Sequence, residues 1–254
     1  MLKKRVIPTL LLKDKRMVKG KKFQNYKDVG DPISAVKIYN NQHADELMFI
    51  DINKKKDFSF MLNTLENVSK NCFIPLCAGG GIETIDQIKD LLRAGADKIL
   101  VTTAAYKKKD FIRQASAKFG QQCLVVGIDL KLDEDGKYIL SCNSGNELIK
   151  DYTISEYIRF IENEGAGEIV LNFIDQDGMM TGVPIDVVQN LTKLTRVPII
   201  ILGGIGNFQH VVDVFNNTLA TAVACSSIFH FGSNDPIRLK SYLKNNGIEQ
   251  RSLK

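Results

Sequence analysis

The feature that most constrains the fold of this chain is a regular alternation of short apolar runs with amphipathic segments of helical length. The runs are rich in Val, Ile and Leu, and segments of about 10 to 15 residues separate them, a pattern typical of βαβ units in a parallel sheet. Eight such units follow one another, and eight parallel strands close into a barrel more readily than they form an open sheet. The sequence therefore predicts an α/β fold of the (βα)8 TIM-barrel class.

The predicted elements span the chain from end to end. Strands are predicted at residues 5–10, 46–52, 73–78, 98–102, 123–129, 168–173, 198–202 and 221–225. Helices are predicted near residues 32–41, 58–70, 84–94, 108–119, 154–164, 184–194, 208–216 and 236–245. Because barrels of this class are typically about 250 residues long, we expect residues 1–254 to form a single domain.

Two connections are longer than a strand-to-helix turn requires. Residues 13–31 form a basic, glycine-containing connection after the first strand, and long loops of this kind are usually functional or mobile. Residues 137–142 follow an acidic turn ending in Gly136 and predict a small additional strand.

An internal repeat supports the barrel. Residues 75–82 match residues 198–205 at an offset of 123, and at the same offset Thr103 corresponds to Ser226. The match predicts two half-barrels of four βα units each.

Composition excludes several classes of function. The formal charge is +5, with short lysine runs at residues 54–56 and 107–109, but no basic stripe with interleaved aromatic residues predicts nucleic-acid binding. The excess positive charge instead favours a solvated face or the attraction of anionic substrates. Five scattered cysteines without C-x-x-C spacing argue against a disulfide framework or a zinc site, and favour small core residues.

The apolar runs are too short for a membrane protein. A run such as residues 197–202 falls far short of the roughly 20 residues that cross a bilayer. The N-terminal residues also lack the pattern of a secretory signal. We expect a cytoplasmic protein without membrane contact.

The residues that follow each strand predict the chemistry, because the active site of such a barrel lies at the C-terminal ends of its strands. The glycine turns at residues 79–81 and 203–204 let backbone N–H groups approach an anion. Hydroxyl groups follow each turn along the chain. We predict two phosphate sites on opposite sides of the barrel mouth. Their residues are Gly80, Gly81 and Thr103 in one site, and Gly203, Gly204 and Ser226 in the other.

Two acidic residues also lie at strand ends. Asp129 ends the fifth strand, where it projects into the mouth and burial can adjust it for proton transfer. Asp177 follows the sixth strand, and with Gly178 it predicts a turn that contacts the substrate, although a helix cap is an alternative.

Nine short strings, in order and at similar spacing, carry a resemblance to a known family. They are RVIP at 5–8, VKG at 18–20, GDP at 30–32, ADEL at 44–47, GGGI at 79–82, GADK at 95–98, GAGEI at 165–169, DQDG at 175–178 and FHFG at 229–232. From about residue 2 to residue 248 the chain resembles the cyclase subunit of imidazole glycerol phosphate synthase.

The resemblance implies a glutaminase partner, in a heterodimer, docked on the N-terminal face of the barrel. Ammonia from glutamine would pass through the barrel, entering at a gate formed by Arg5, Glu46, Lys98 and Glu168. It also implies a mobile loop after the first strand that carries Lys19. A phosphorylated small-molecule substrate is implied, whereas a metal or an organic cofactor is not.

The chain departs from the family pattern in its catalytic residues. The family has a catalytic aspartate at the end of the first strand, paired with the one at Asp129, and here that position is Leu11. Thr102 replaces an asparagine in the first phosphate site, and Leu202 replaces a serine before the second glycine pair. The departures put the cyclase chemistry in doubt while leaving the phosphate sites and the ammonia route.

Three functions follow from this pattern. The favoured hypothesis is an ammonia-accepting synthase subunit that resembles a diverged branch of the family with the same LLLKD string at residues 10–14. The resemblance links that branch to amidation of nucleotide-linked sugars, with a sugar amidotransferase as a further partner. The ordinary cyclase and lyase reaction of histidine biosynthesis is the alternative. The third is a non-catalytic scaffold that activates a glutaminase.

Overall fold

Eight parallel strands pair in a closed ring in a computed structural model, which describes residues 3–53, 58–70 and 72–251. The lysine run at residues 54–56 lies outside the described residues. The strands of the ring are, in order around it, β1 (Arg5–Lys13), β4 (Leu47–Asp51), β5 (Leu76–Gly79), β6 (Lys98–Val101), β7 (Leu124–Leu132), β10 (Glu168–Phe173), β11 (Ile199–Leu202) and β12 (Ala222–Cys225). The pairings of β7 with β10 and of β12 with β1 close the ring.

Helices follow each of these strands along the chain. The longer ones are α1 (Pro32–Asn41), α2 (Phe58–Ser69), α3 (Ile85–Arg93), α5 (Phe111–Phe119), α6 (Ile154–Asn163), α7 (Ile185–Thr192), α8 (Phe208–Asn217) and α10 (Pro236–Asn245). Two short helices, α4 (Thr103–Lys107) and α9 (Ser227–His230), follow β6 and β12 directly. The (βα)8-barrel prediction is confirmed. Within the described residues, no helix has the length and apolar character needed to cross a membrane.

Local sequence explains where several helices begin. Thr84 and Thr153 cap α3 and α6 in capping boxes with Gln87 and Glu156, which satisfy backbone N–H groups left free at a helix start. Asp31 caps α1 by accepting a hydrogen bond from the Ser34 backbone. These caps set the helix starts close to the positions that the apolar periodicity predicts.

Side chains alternate between the helix layer and the barrel interior along each strand. On β1, Val6, Leu10 and Leu12 belong to the large cluster between strands and helices, whereas Ile7 belongs to a smaller cluster inside the ring. Because successive strand residues point to opposite faces, the odd-numbered residues of β1 face the interior, from Arg5 at one end to Leu11 at the other.

Two of the strands begin only after a proline that the prediction had placed inside them. Residues 73–75 were predicted as part of β5 and residue 198 as part of β11, but these strands begin at Leu76 and Ile199. Pro75 and Pro198 precede them, and proline has no backbone N–H for a sheet ladder. Their carbonyl groups still accept hydrogen bonds from the backbones of Leu47 and Ile169.

The long connection after β1 is a hairpin rather than an irregular loop. Its strands are β2 (Arg16–Lys21) and β3 (Gln24–Gly30), and β2 pairs antiparallel with the end of β1, placing Val18 opposite Leu11. The additional strand predicted at residues 137–142 is present as β8 (Tyr138–Cys142), which pairs antiparallel with β7 and with the short β9 (Glu147–Leu148).

The half-barrel repeat is present, with one correction. The offset of 123 holds for β5 and β11 and for the capping residues Thr84 and Asn207. It becomes 124 for β6 and β12, because α8 has 10 residues where α3 has 9. The predicted correspondence of Thr103 with Ser226 is therefore wrong, and Ser226 corresponds to Thr102. Both of these precede a short helix with closely similar backbone angles, φ −124° and −123°.

Gly167 offers a test of packing at the start of β10. A Cβ atom there would collide with the backbone carbonyl of Gln121, whereas a Cβ at Gly232 would meet open space. Neither glycine has a positive φ. We expect Gly167→Ala to lower the free energy of unfolding by about 1–3 kcal/mol, the usual cost of overpacking, with Gly232→Ala as the matched control. Urea denaturation measures both, and equal stability of the two variants would contradict the packing.

Candidate active site

A cavity of about 1540 Å³ opens at the C-terminal ends of the barrel strands. Most of the residues predicted for the mouth line it, namely Lys19, Gly80, Gly81, Thr102, Thr103, Asp129, Asp177 and Ser226. A small adjoining pocket is lined by Gly178, Gly203 and Gly204, together with Lys19, Asp177 and Ser226. The fold therefore brings all of the predicted mouth residues together, from strands far apart in the sequence.

Asp129 is a buried carboxylate at the end of the inward-facing side of β7. Its Oδ1 accepts a hydrogen bond of 2.8 Å from Nδ2 of Asn172, which lies directly opposite it on β10. Burial raises the pKa of Asp129 to about 6, against the lowering effect of the Asn172 hydrogen bond, and the nearby Asp177 adds to the increase. A carboxyl group with a pKa of about 6 is suited to accept or donate a proton near neutral pH.

The equivalent position in the other half of the barrel is apolar. Leu11 pairs with Ile50 between β1 and β4, just as Asp129 pairs with Asn172 between β7 and β10. Since β1 and β7 lie four strands apart in a ring of eight, the two pairs face each other across the mouth. The structure thus places Leu11 opposite Asp129, and this half has no carboxylate at that position.

Two glycine turns form matching concave surfaces beside the mouth. Gly80 and Gly81 have φ values of 100° and 67°, and Gly203 and Gly204 have values of 93° and 85°, which favour glycine over any other residue. A Cβ at Gly80 would collide with the backbone of Asp51. Both turns therefore lie against neighbouring backbone, since a Cβ at Gly203 would meet the Phe173 carbonyl and one at Gly204 would meet the Gly182 carbonyl.

The hydroxyl groups beside the two turns differ in their contacts. Oγ1 of Thr103 accepts a hydrogen bond of 3.1 Å from the Asn143 backbone. The Ser226 hydroxyl is buried and has no hydrogen-bond partner among the described residues. Ser226 therefore keeps a polar group available at the adjoining pocket, whereas Thr103 already holds the turn after β8.

The β2–β3 hairpin closes over one side of the mouth. Nζ of Lys19 lies 2.6 Å from Oδ1 of Asp177, and both side chains are buried. The Lys22 backbone donates to the Asp177 carbonyl at 2.8 Å, and a Cβ at Gly178 would collide with the Gly20 carbonyl. Burial raises the pKa of Tyr26, with Asp177 adding to it, to about 12. This hairpin brings a lysine from the first connection against the turn after β10.

Four charged residues form an ion-pair ring at the opposite end of the barrel. Arg5 contacts Glu46 at 3.0 Å and Glu168 at 2.9 Å, and Lys98 contacts the same two carboxylates at 2.8 Å and 2.9 Å. Burial raises the pKa of Glu46, and Glu168 adds to the increase, while Lys98 and Arg5 oppose it. The predicted gate residues thus lie together in one closed network with two positive and two negative charges.

Neighbouring aspartates hold the strands that carry this ring. Asp45 precedes Glu46 and accepts a hydrogen bond of 2.8 Å from the Val6 backbone, next to Arg5. Asp97 precedes Lys98 and accepts one of 2.8 Å from the Leu76 backbone. Each carboxylate fixes the register of a strand end against its neighbour, which in turn fixes the positions of the ring residues.

Asn172, which contacts Asp129, is among the mouth residues that the sequence analysis missed. The sequence could have predicted it, because every second residue of β10 faces the barrel interior, from Glu168 through Val170 to Asn172. The cavity also has apolar lining residues, which are Leu11, Ile50, Leu100 and Leu202. The sequence analysis had named Leu11 and Leu202 but not Ile50 and Leu100.

Known proteins resemble this chain over almost its whole length. A family model described as histidine biosynthesis protein matches residues 5–235. The chain is 38% identical over 252 residues to the imidazole glycerol phosphate synthase subunit HisF of Staphylococcus aureus (strain Newman), covering 99% of this chain and 100% of that protein. It is 39% identical over 249 residues to the subunit of the same name from Staphylococcus epidermidis, covering 98% and 99% of the two chains.

The pKa of Asp129 predicts a pH-dependent stability. The pKa of about 6 in the folded state lies above the unfolded value of about 3.9. The free energy of unfolding therefore falls as the pH rises from about 4 to about 6. Asp129→Asn removes this ionisation. We expect the stability of this variant relative to wild type to rise by up to about 3 kcal/mol between pH 4 and pH 7. Denaturant unfolding across that range measures it, and a constant difference would contradict the shifted pKa.

We expect the stability of the protein to depend on the charge balance of the ion-pair ring. Lys98→Met leaves two buried carboxylates facing Arg5 alone, and we expect it to cost about 3–5 kcal/mol of unfolding free energy. The double variant Lys98→Met/Glu168→Gln restores neutrality around the Arg5–Glu46 pair and is expected to recover most of that loss. Urea denaturation at pH 7 compares the two, and a double variant as unstable as the single one would show that charge balance is not the cause.

Proposed function

Because this chain belongs to the histidine biosynthesis protein family, among the imidazole glycerol phosphate synthase HisF subunits, we propose that it accepts ammonia from a glutaminase and has diverged from cyclase chemistry. In this proposal it forms a heterodimer, with the glutaminase on the face that carries the ion-pair ring. The observation that carries the divergence is the apolar pair Leu11 and Ile50, opposite Asp129 and Asn172.

The ring and the interior above it support a route for ammonia. The interior cluster is apolar and includes Ile7, Met48, Cys77, Val125 and Ile200, together with Ala222 and Ala224, which have short side chains. A charged ammonium ion would lose its hydration there at high cost, whereas neutral ammonia would not. The interior therefore favours ammonia in its nucleophilic form, and the ring is the proposed entrance.

The mouth supports a phosphorylated acceptor. The two glycine turns offer backbone cradles on different sides, and Lys19 and Ser226 lie beside the second of them. Asp129 is the proposed acid–base group, because at pH 7 a carboxyl with a pKa of about 6 is largely ionised. Its carboxylate would take a proton from the ammonia nitrogen as that nitrogen bonds to a carbonyl carbon of the acceptor and the electron pair of the C=O double bond moves to the oxygen.

The proposed acceptor chemistry is amidation of a nucleotide-linked sugar, directly or with a separate sugar amidotransferase. A cavity of about 1540 Å³ exceeds the roughly 300–1,000 Å³ of common small-molecule sites, which suits a large phosphorylated ligand. In the half of the barrel that lacks Asp129, the side chains of Leu11, Ile50 and Leu100 line the cavity and supply no proton donor. Acid–base chemistry in this proposal therefore rests on Asp129.

A second candidate is the cyclase and lyase reaction itself. It would use ammonia and a bisphosphorylated imidazole nucleotide to form imidazole glycerol phosphate and an aminoimidazole carboxamide ribonucleotide. The names of the two relatives favour it. The non-catalytic scaffold remains the third candidate, which the complete ring beside an incomplete carboxylate pair favours.

Turnover of the cyclase substrate separates these candidates. We expect this protein, with excess ammonium salt and the bisphosphorylated imidazole nucleotide, to turn over at least about 100-fold more slowly than the Staphylococcus aureus HisF relative, because one acid–base group is typically worth 10²- to 10⁴-fold. Leu11→Asp should recover part of the difference. Product absorbance measures the rate, and calorimetry with the same nucleotide measures binding.

Equal turnover of the two proteins would contradict the proposed divergence and assign the cyclase reaction to this chain. The scaffold candidate is tested separately, by measuring glutamine hydrolysis and ammonia incorporation in the complex with its glutaminase. Unchanged incorporation in Asp129→Asn would make Asp129 dispensable and would support the scaffold.

A further inference from the structure

Asn172 is the described side chain that contacts the carboxylate of Asp129. The Nδ2–Oδ1 distance is 2.8 Å, and both residues are buried. Ser141 also contacts Asp129, but its hydroxyl donates to the backbone carbonyl at 3.2 Å and leaves the carboxylate untouched. The orientation of the carboxylate within the mouth therefore depends on one amide group among the described residues.

The chemistry of the amide sets its orientation. An ionised carboxylate only accepts hydrogen bonds, so the NH2 group of Asn172 must face Asp129 and its Oδ1 must point elsewhere. That oxygen is buried without a hydrogen-bond partner among the described residues, and Asn172 lines the cavity. A buried acceptor without a partner is costly unless a ligand or water supplies the donor.

In the two-fold comparison, both positions differ between the two halves of the barrel. Where Asp129 is replaced by Leu11, Asn172 is replaced by Ile50 at the facing position of the neighbouring strand. Isoleucine has no donor to offer, and leucine needs none. The carboxylate and its amide partner thus occur as a unit in one half of the barrel, and two aliphatic side chains occupy the same places in the other.

We propose that Asn172 is the positioning residue for Asp129, holding its carboxylate toward the mouth in the ionised state. The proposal deepens the acid–base role of Asp129 and rests on that proposed function for its consequence in turnover. Its test needs no substrate, so a failure here is distinguishable from a failure of the proposed reaction.

Carboxyl titration of the full-length protein tests the contact. With ¹³C-labelled aspartate, we expect Asn172→Leu to raise the apparent pKa of Asp129 by about one pH unit, since a hydrogen bond to a charged group is lost. Thr9→Val is the matched control, because it removes a buried hydroxyl that lines the same cavity from β1, on the opposite side of the ring. An unchanged value in Asn172→Leu, or an equal rise in both variants, would overturn the proposal.

Introducing an Asp and Asn pair at positions 11 and 50, in the other half of the barrel, provides a second test that does not depend on removing Asn172. Leu11→Asp introduces a carboxylate opposite Ile50, and Leu11→Asp/Ile50→Asn adds the amide beside it. We expect the carboxyl at position 11 to titrate about one pH unit lower in the double variant, because the added amide stabilises its ionised form. Circular dichroism checks that both variants fold. Identical titration in the single and double variants would show that an asparagine at this register does not position the carboxylate.

Discussion

Alternation of side chains along eight paired strands is the constraint on which the rest of this structure depends. Every second residue of each strand faces the barrel interior, so the strand register decides which side chains meet there. The interior begins with the ion-pair ring, continues through an apolar layer around Met48 and Val125, and ends at the mouth with Asp129. A shift of one residue in any strand would send its interior side chains into the helix layer.

The ion-pair ring is costly for stability alone. Buried charges lose hydration, and well-packed apolar residues of similar size usually serve a barrel floor at least as well. The structure nevertheless supports the ring further, with Asp45 and Asp97 fixing the strand ends beside it. Lys240 contacts Asp45 at 2.6 Å and ties the last helix to the same floor. Such reinforcement fits the proposed entrance for ammonia better than a role as a plug.

The two halves of the barrel share a backbone plan and differ in chemistry. Equivalent glycine turns and equivalent short helices flank the mouth on both sides. The carboxylate and amide of Asp129 and Asn172 stand in one half, and Leu11 and Ile50 stand in the other. In our proposal the shared backbone turns hold phosphate groups, and the side-chain difference leaves Asp129 without a facing carboxylate at position 11. This asymmetry underlies the proposed divergence from the cyclase reaction.

The sequence by itself determined the fold class, most element bounds to within a few residues and most predicted mouth residues, because periodicity and glycine turns are local signals. The ring residues came from the resemblance to a known family. Three features needed the tertiary structure. The long first connection forms a hairpin because β2 pairs with β1 and Lys19 forms an ion pair with Asp177, far along the chain. The hydroxyl correspondence depended on one extra residue in α8, which only the strand register reveals. The pairing of Asp129 with Asn172 joins residues 43 positions apart, and which side chains face each other across paired strands is decided by the register of the closed barrel.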